Sequence, residues 1–387
     1  MEQFTIDENG HCVIPAGTIE IGESAFADRY SLKSVEIPSS VTSIGNDAFA
    51  YCSCLRSIEI PSSVTSIGNE AFAHCSCLRS IEIPNGVIEI GKGAFAGCSA
   101  LQSIELPSSV THIGDEAFAY CKGLQSIELP SSVTHIGNSA FYGCESFESV
   151  EIPSSVTHIG DKAFACCRGL QSIKIPNGVI EIGKWAFYCC ESLQSIKIPN
   201  GVIEIGKWAF YCCKSLQSIE LPSSVTIIGD KAFCGCKSLE SVEIPSSVTR
   251  IGDEAFAYCR GLQSIELPSS VTIIDNSTFF GCSGLQSVRI LHGVIEIGEW
   301  AFLGCESLQS IEIPSSVTSI GDRAFLKCKN LSSLTLHYKE PIDLSPKLVA
   351  ELPISDKITL HVPVGTGDAY RHHLEFSKVK EVIDNVR

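Results

Sequence analysis

The sequence predicts a β-rich solenoid: a right-handed stack of 23-residue coils with a parallel main sheet and short helical or 3₁₀ turns. Three observations predict it. Thirteen of the twenty cysteines, from Cys52 to Cys328, follow one another at intervals of 23 residues. A glycine recurs at the same interval from Gly22 to Gly321, with Asp275 in the one gap. Between these glycines the apolar positions keep their places through fourteen coils, without insertion or deletion. Self-similarity at a fixed period of about 20–50 residues marks repeat architectures, in which one unit cannot bury its apolar face alone but stacked units can. A length of 387 residues would otherwise read as two or three domains. The unbroken register reads as one solenoid over 16–336, with an N-terminal cap over 1–15 and a C-terminal cap over 337–387.

Each element of the coil has its own sequence signal. Leu78-Arg79-Ser80-Ile81-Glu82-Ile83 alternates apolar Ile81 and Ile83 with polar Ser80 and Glu82, as a strand with one buried face requires. Pro84 lacks an N–H and stops the ladder. Asn85-Gly86 here, and Ser-Ser in most coils, reads as a turn. Val87 and Ile90 return to the core as a second short strand. The repeat glycine reads as a positive-φ bend, and Asp275 as one of the few residues that tolerate it. The Asn or Asp that follows in many coils (Asn69, Asp115, Asp161) suits an N-cap, with the Ala-Phe pair on one helical or 3₁₀ turn.

Composition excludes several classes. Hydrophobic residues make 44% and charged residues 19%, which is an ordered composition. No run reaches the roughly 18 apolar residues of a membrane-spanning helix. The net charge of −16 repels phosphate backbones and anionic lipid, so nucleic acid and membrane surfaces are disfavoured partners. Met1-Glu2-Gln3-Phe4-Thr5-Ile6-Asp7 has neither the basic nor the apolar region of a signal peptide. A chain that natively starts at Met1 is expected in the cytoplasm.

The segment Ile60-Pro61-Ser62-Ser63-Val64-Thr65-Ser66-Ile67-Gly68-Asn69-Glu70-Ala71-Phe72-Ala73-His74-Cys75-Ser76-Cys77-Leu78-Arg79-Ser80-Ile81 resembles the BspA-like, or Treponema pallidum type, leucine-rich repeat. The resemblance runs in register over about residues 13–336. The tail from His361 to Tyr370, followed by Phe376, resembles the closing cap of such proteins. The resemblance implies a leucine-rich-repeat solenoid. It also implies a surface or secreted protein, if a leader has been removed, associated with adhesion to host proteins and with coaggregation.

Four residue sets are candidate sites. The first is the column Glu36, Glu59, Glu82, Glu105, Glu128, Glu151, then Lys174 and Lys197, on the outward face of the main strands. It goes on through Glu220, Glu243, Glu266, Arg289 and Glu312, with serine two residues earlier in every coil. Like charges about 5 Å apart repel by about 0.8 kcal/mol in water, which a cationic partner would relieve. The plain alternative is a solvated face that discourages sheet-on-sheet association. The longest unbroken carboxylate run is Glu36 to Glu151. The second set is Trp185, Tyr188, Trp208 and Tyr211 on the turn side, a secondary aromatic patch or simply packing between coils. Segments 175–197 and 198–220 differ at only two positions, so the two tryptophans are one observation duplicated.

The third set is the stack His112, His135 and His158, which reads as a metal site or as an exposed position copied by duplication. The fourth is cysteine. The thirteen ladder cysteines read as reduced, buried hydrophobes, because parallel neighbours keep their Cβ atoms wider than the ~3.8 Å of a disulfide. Cys12, Cys54, Cys77, Cys166, Cys189, Cys212 and Cys234 lie off the ladder, and no Cys-x-x-Cys occurs. No catalytic motif, P-loop or dinucleotide fingerprint is present. The expected function is therefore a non-enzymatic scaffold without cofactor or metal, binding a protein partner through the solenoid surface. The alternative is a metal- or redox-responsive protein using stacked His or Cys.

Overall fold

The computed structural model describes residues 4–341, 357–373 and 376–386. The chain divides into two compact units, Met1–Gly201 and Val202–Arg387. Both are β-solenoids of parallel strands in which residue i faces residue i+23, and almost no helix is present among the described residues.

In the first unit the outward alternation is as expected. Strand Ser80–Glu82 exposes Ser80 and Glu82 and buries Ile81, and it pairs in register with Ser103–Glu105. After Pro84 the chain turns, closed by a bond from Val87 N–H to the Pro84 carbonyl at 3.1 Å. The serines of the Ser-Ser turns stitch coils together, as where Ser109 Oγ donates to the Val87 carbonyl at 2.6 Å. A second ladder of two-residue strands runs from Glu89–Ile90 through His112–Ile113, His135–Ile136 and His158–Ile159 to Glu181–Ile182.

The repeat glycines serve a different purpose from the expected bend. None of those from Gly22 to Gly183 has positive φ. A Cβ on Gly68 would lie 2.6 Å from the Gly45 carbonyl carbon and the Asn46 nitrogen, and one on Gly137 would meet the preceding coil equally closely. Glycine is favoured at Gly68 and Gly137 because backbone stacks on backbone there. In the second unit Asp275 likewise lacks positive φ.

Positive φ falls instead two and six residues after the glycine. In the first unit it is seen at Ser24, Asp28, Asp47, Tyr51, Glu70, His74, Gly93 and Gly97, and it continues to Trp185 and Cys189. The i+3 bonds of a 3₁₀ turn are present, as from Ala96 N–H to the Gly93 carbonyl at 2.9 Å. The alternating left-handed residues, however, keep these turns from coiling into a helix. Every second N–H points to the next coil: Gly93 to the Asp115 carbonyl at 2.8 Å, Phe95 to Ala117 at 2.8 Å and Gly97 to Ala119 at 2.7 Å. The expected helical turn is thus a third inter-coil ladder. The Asn and Asp residues after the glycine cap the neighbouring coil, not a helix of their own. Asn46 Oδ1 accepts from Asn69 N–H at 2.8 Å, and Asn69 Oδ1 from Lys92 N–H at 2.9 Å.

The core carries stacked phenylalanines and cysteines. Phe26 and Phe49 lie 4.9 Å apart at an interplanar angle of 7°, and Phe118 and Phe141 lie 5.4 Å apart at 7°. Aromatic pairs at such spacing contribute about 0.5–1.5 kcal/mol beyond area burial. Ladder thiols donate hydrogen bonds that sequence reading did not foresee. Cys75 Sγ donates to the Phe49 carbonyl at 3.2 Å and Cys98 Sγ to the Phe72 carbonyl at 3.1 Å. Phe4 stacks on Phe26 at 5.0 Å, and strand His11–Val13 pairs with Ser34–Glu36, so the first residues complete a partial coil.

The second unit repeats this scheme with longer main strands, Ser264–Leu267, Ser287–Ile290, Ser310–Ile313 and Ser333–Leu336. Beyond them the 23-residue period breaks. Ser333 faces Thr359 of strand Thr359–Pro363, and Thr359 faces Glu381 of strand Glu381–Val386. The short helix Gly367–His372 places the buried Tyr370, whose hydroxyl donates to the Tyr338 carbonyl at 2.9 Å. Residues 342–356 of the expected C-terminal cap lie outside the described residues.

Candidate partner-binding surface

The main strands of the first unit alternate strictly. Their isoleucine or valine points inward, so serine and the charged residue two places later must point outward. Glu82 aligns with Glu105, and Glu105 bridges to Glu128. These side chains lie at the water boundary, with Glu36 and Glu151 at 70% and 71% exposure. The small serines leave a shallow depression beside the charged column, seen over Ser172–Asn177 and Ser195–Lys197.

The column is less uniform than its sequence. Lys174 Nζ sits 2.6 Å from Glu151 Oε1, so the last glutamate of the run is partly neutralised. At the other end His11 Nε2 approaches Glu36 Oε1 at 3.4 Å. Sequence reading also overlooked a parallel column three residues earlier in each coil. It presents exposed Lys33, Arg56 and Arg79, then Gln102, Gln125 and Glu148. The missed signal was the spacing, since each of the first three glutamates follows a cation by three positions. The barest carboxylates are therefore Glu105 and Glu128, flanked by glutamines. In the second unit the same pairing recurs where Arg289 Nη1 meets Glu266 Oε2 at 3.0 Å.

The aromatic residues face the turn side. Trp185 and Tyr188 in the first unit are half-buried, with Lys162 Nζ 5.3 Å from the Trp185 ring centroid. Trp208 and Tyr211 in the second unit are also half-buried, their rings 4.7 Å apart, with Lys231 Nζ 4.6 Å from the Trp208 centroid. Cations already cover both indoles.

The histidine stack forms as the sequence predicts but does not converge. His112 and His135 stack at 4.8 Å and 10°, and His112, His135 and His158 each hold Nδ1 at 2.7–2.8 Å from the preceding threonine Oγ1. Parallel rings aim their remaining nitrogens side by side, not at one point. Among the described residues no group of three His, Cys, Asp or Glu could hold a metal ion. All twenty cysteines are thiols, and burial pushes ladder thiols such as Cys75, Cys98 and Cys236 upward, and Cys52 and Cys328 to about 12. Off the ladder, Cys12 and Cys234 are also buried, while Cys54 and Cys77 are exposed. No helix among the described residues is long and apolar enough to cross a membrane.

Parallel coils in a fixed register, an aromatic and thiol spine, and an outward face of exposed side chains define a leucine-rich-repeat scaffold for protein interaction. The chain belongs to the BspA type leucine-rich repeat family, whose model matches residues 19–147, 134–263 and 249–343. It is similar to the crystal structure of a leucine-rich repeat protein from Bacteroides ovatus, at 31% identity over 98% of this chain and 97% of that one, with a TM-score of 0.75. It is also similar to a leucine rich cell surface protein from Faecalibacterium prausnitzii, at 30% identity over 86% of this chain and 92% of that one, with a TM-score of 0.54. A T. pallidum leucine-rich repeat protein shares 30% identity over 54% of this chain and 78% of that one, with a TM-score of 0.34. No curated protein matches the chain.

Proposed function

We propose that the chain is a non-enzymatic adhesion or recognition scaffold that takes a basic protein partner on the outward face of the main strands of its first unit. One observation carries the reading: Glu82, Glu105 and Glu128 stand in register on adjacent coils, and glutamine accompanies the last two. Stacked carboxylates repel one another, and a cationic surface laid across them relieves that repulsion. The cell-surface description of the F. prausnitzii relative supports an outward-facing role. Capture from host-cell extract by the intact chain and by a Glu105→Lys, Glu128→Lys, Glu151→Lys variant tests the assignment. Basic proteins held by the first and lost by the second support it. Identical capture by both moves the interface elsewhere.

A further inference from the structure

A surface of different chemistry lies on the main strands of the second unit. Strands Ser264–Leu267, Ser287–Ile290, Ser310–Ile313 and Ser333–Leu336 pair in register, so their first serines stand in one row across four coils. The residue two places later points to the same side, because side chains of a strand alternate between its faces. That second row is Glu266, Arg289, Glu312 and Thr335. One residue before the serines, exposed Gln263, Gln286 and Gln309 make a third row. Between the serine and charged rows, over Ile265, Val288 and Ile311, runs a shallow depression of about 500 Å³.

The charges here answer one another. Arg289 Nη1 lies 3.0 Å from Glu266 Oε2, and Glu312 Oε1 meets His337 Nε2. The serine hydroxyls and glutamine amides beside them are neutral groups that both donate and accept hydrogen bonds. The first unit differs, since its carboxylate column has Lys33, Arg56 and Arg79 at the glutamine position.

We propose that this depression binds an extended, uncharged β-1,4-linked glycan laid along the stack of coils, one sugar to a coil. The chemistry supports an uncharged polyhydroxyl ligand. Sugar hydroxyls donate and accept, as serine and glutamine do. Neighbouring sugar hydroxyls match the paired oxygens of a carboxylate and the paired N–H groups of a guanidinium. Glu266 holds Arg289 in place, and the five N–H donors of a guanidinium leave some for the ligand.

The spacing supports an extended chain. Successive coils advance by 5.3 and 5.4 Å, as the stack of Phe279, Phe302 and Phe325 records. A β-1,4-linked chain advances by one pyranose length per sugar, close to this repeat, so each sugar meets the same rows as the last. Successive sugars of such a chain present opposite edges. The glutamine row on one flank of the serines and the charged row on the other supply partners for either edge. An α-1,4-linked chain coils and loses this match.

Calorimetric titration of the full chain with cello- and chito-oligosaccharides of two to six sugars tests the proposal. Affinity should rise about tenfold or more from two sugars to four and then level off, because the matched rows span four coils. Maltotetraose should bind at least about tenfold more weakly than the better β-1,4-linked tetrasaccharide. Arg289→Ala removes a charged donor and should weaken binding about tenfold, with the thermal midpoint unchanged because the side chain is 70% exposed. Ser287→Leu with Ser310→Leu fills the depression from exposed positions and should abolish binding in a chain that still unfolds cooperatively. Binding should persist at about 1 M salt, where the Debye length is about 3 Å, unlike capture of a basic protein by the first unit. No binding of either hexasaccharide at about 1 mM overturns the proposal. So does an affinity independent of length, maltotetraose bound as tightly as the β-1,4-linked chains, or undiminished binding by the double leucine variant. An unmoved affinity in Arg289→Ala overturns the role given to the guanidinium.

Discussion

At the scale of single residues, the glycine and cysteine ladders show how a repeat position can be recognised and yet misassigned. The recurrence of glycine was plain in the sequence, but its cause was not. Both a left-handed bend and a tight backbone contact select glycine, and only the stack shows which applies. Gly137 would place a Cβ 2.6 Å from Gly114 and Asp115 backbone atoms, with no positive φ. Gly137→Ala should therefore cost about 1–3 kcal/mol by forcing two coils apart, read as a lower thermal midpoint. An unchanged midpoint would contradict close stacking as the reason for glycine. The cysteines make a second prediction. Buried ladder thiols such as Cys98 and Cys121 are held protonated well above neutral pH, because desolvation opposes the thiolate. Exposed Cys54 and Cys77, with half-exposed Cys166, Cys189 and Cys212, make five accessible thiols. Alkylation of the native chain near neutral pH should stop at these five, and denaturant should release all twenty. Modification of ladder cysteines before unfolding would contradict the buried spine.

At the scale of the element, alternation is the legible feature and left-handed turns are not. Ser80-Ile81-Glu82 announces its strand because period two sorts residues onto two faces, and the structure buries Ile81 alone of the three. The turn after the glycine carries no such mark. Its left-handed positions hold Ser24, Glu70, Trp185 and Tyr51, residues with no common preference for that backbone. Inter-coil hydrogen bonds impose the conformation, so it depends on the neighbour and not on local propensity. The spine was legible because phenylalanine repeats, and it supplies an element-scale prediction. Phe118 lies fully buried between Phe95 at 5.6 Å and Phe141 at 5.4 Å. Phe118→Ala should cost about 3–5 kcal/mol through the cavity it leaves. Because repeats couple mainly to their neighbours, hydrogen exchange should rise in the coils carrying Phe95, Phe118 and Phe141. A uniform rise across all coils of the unit would argue against nearest-neighbour coupling.

At the scale of the whole molecule, charge decides what approaches. The net charge of −16 acts as a long-range field, while the placement of cations decides where that field is focused. The charged column was legible from the 23-residue period, but its effective length was not. Lys33, Arg56 and Arg79 stand on a neighbouring column, and the ion pair from Lys174 to Glu151 depends on side-chain reach. The result is an acidic centre at Glu105 and Glu128 between partly neutralised ends. Replacing Glu105, Glu128 and Glu151 by lysine changes three charges by two each, taking the net charge from −16 to −10. The exposed side chains carry no core contact, so folding should survive with an unchanged thermal midpoint. With a basic protein probe, the intact chain should associate faster at low salt, and raising ionic strength to about 0.15 M should slow it as the Debye length falls to about 8 Å. The reversed variant should associate slowly at every salt concentration, with the dissociation rate changing less, because steering acts on encounter. Trp185→Ala and Trp208→Ala serve as the control from the opposite face. If the charge-reversed chain binds like the intact one while these substitutions abolish binding, the partner sits on the turn side and the acidic column is only a solvated face.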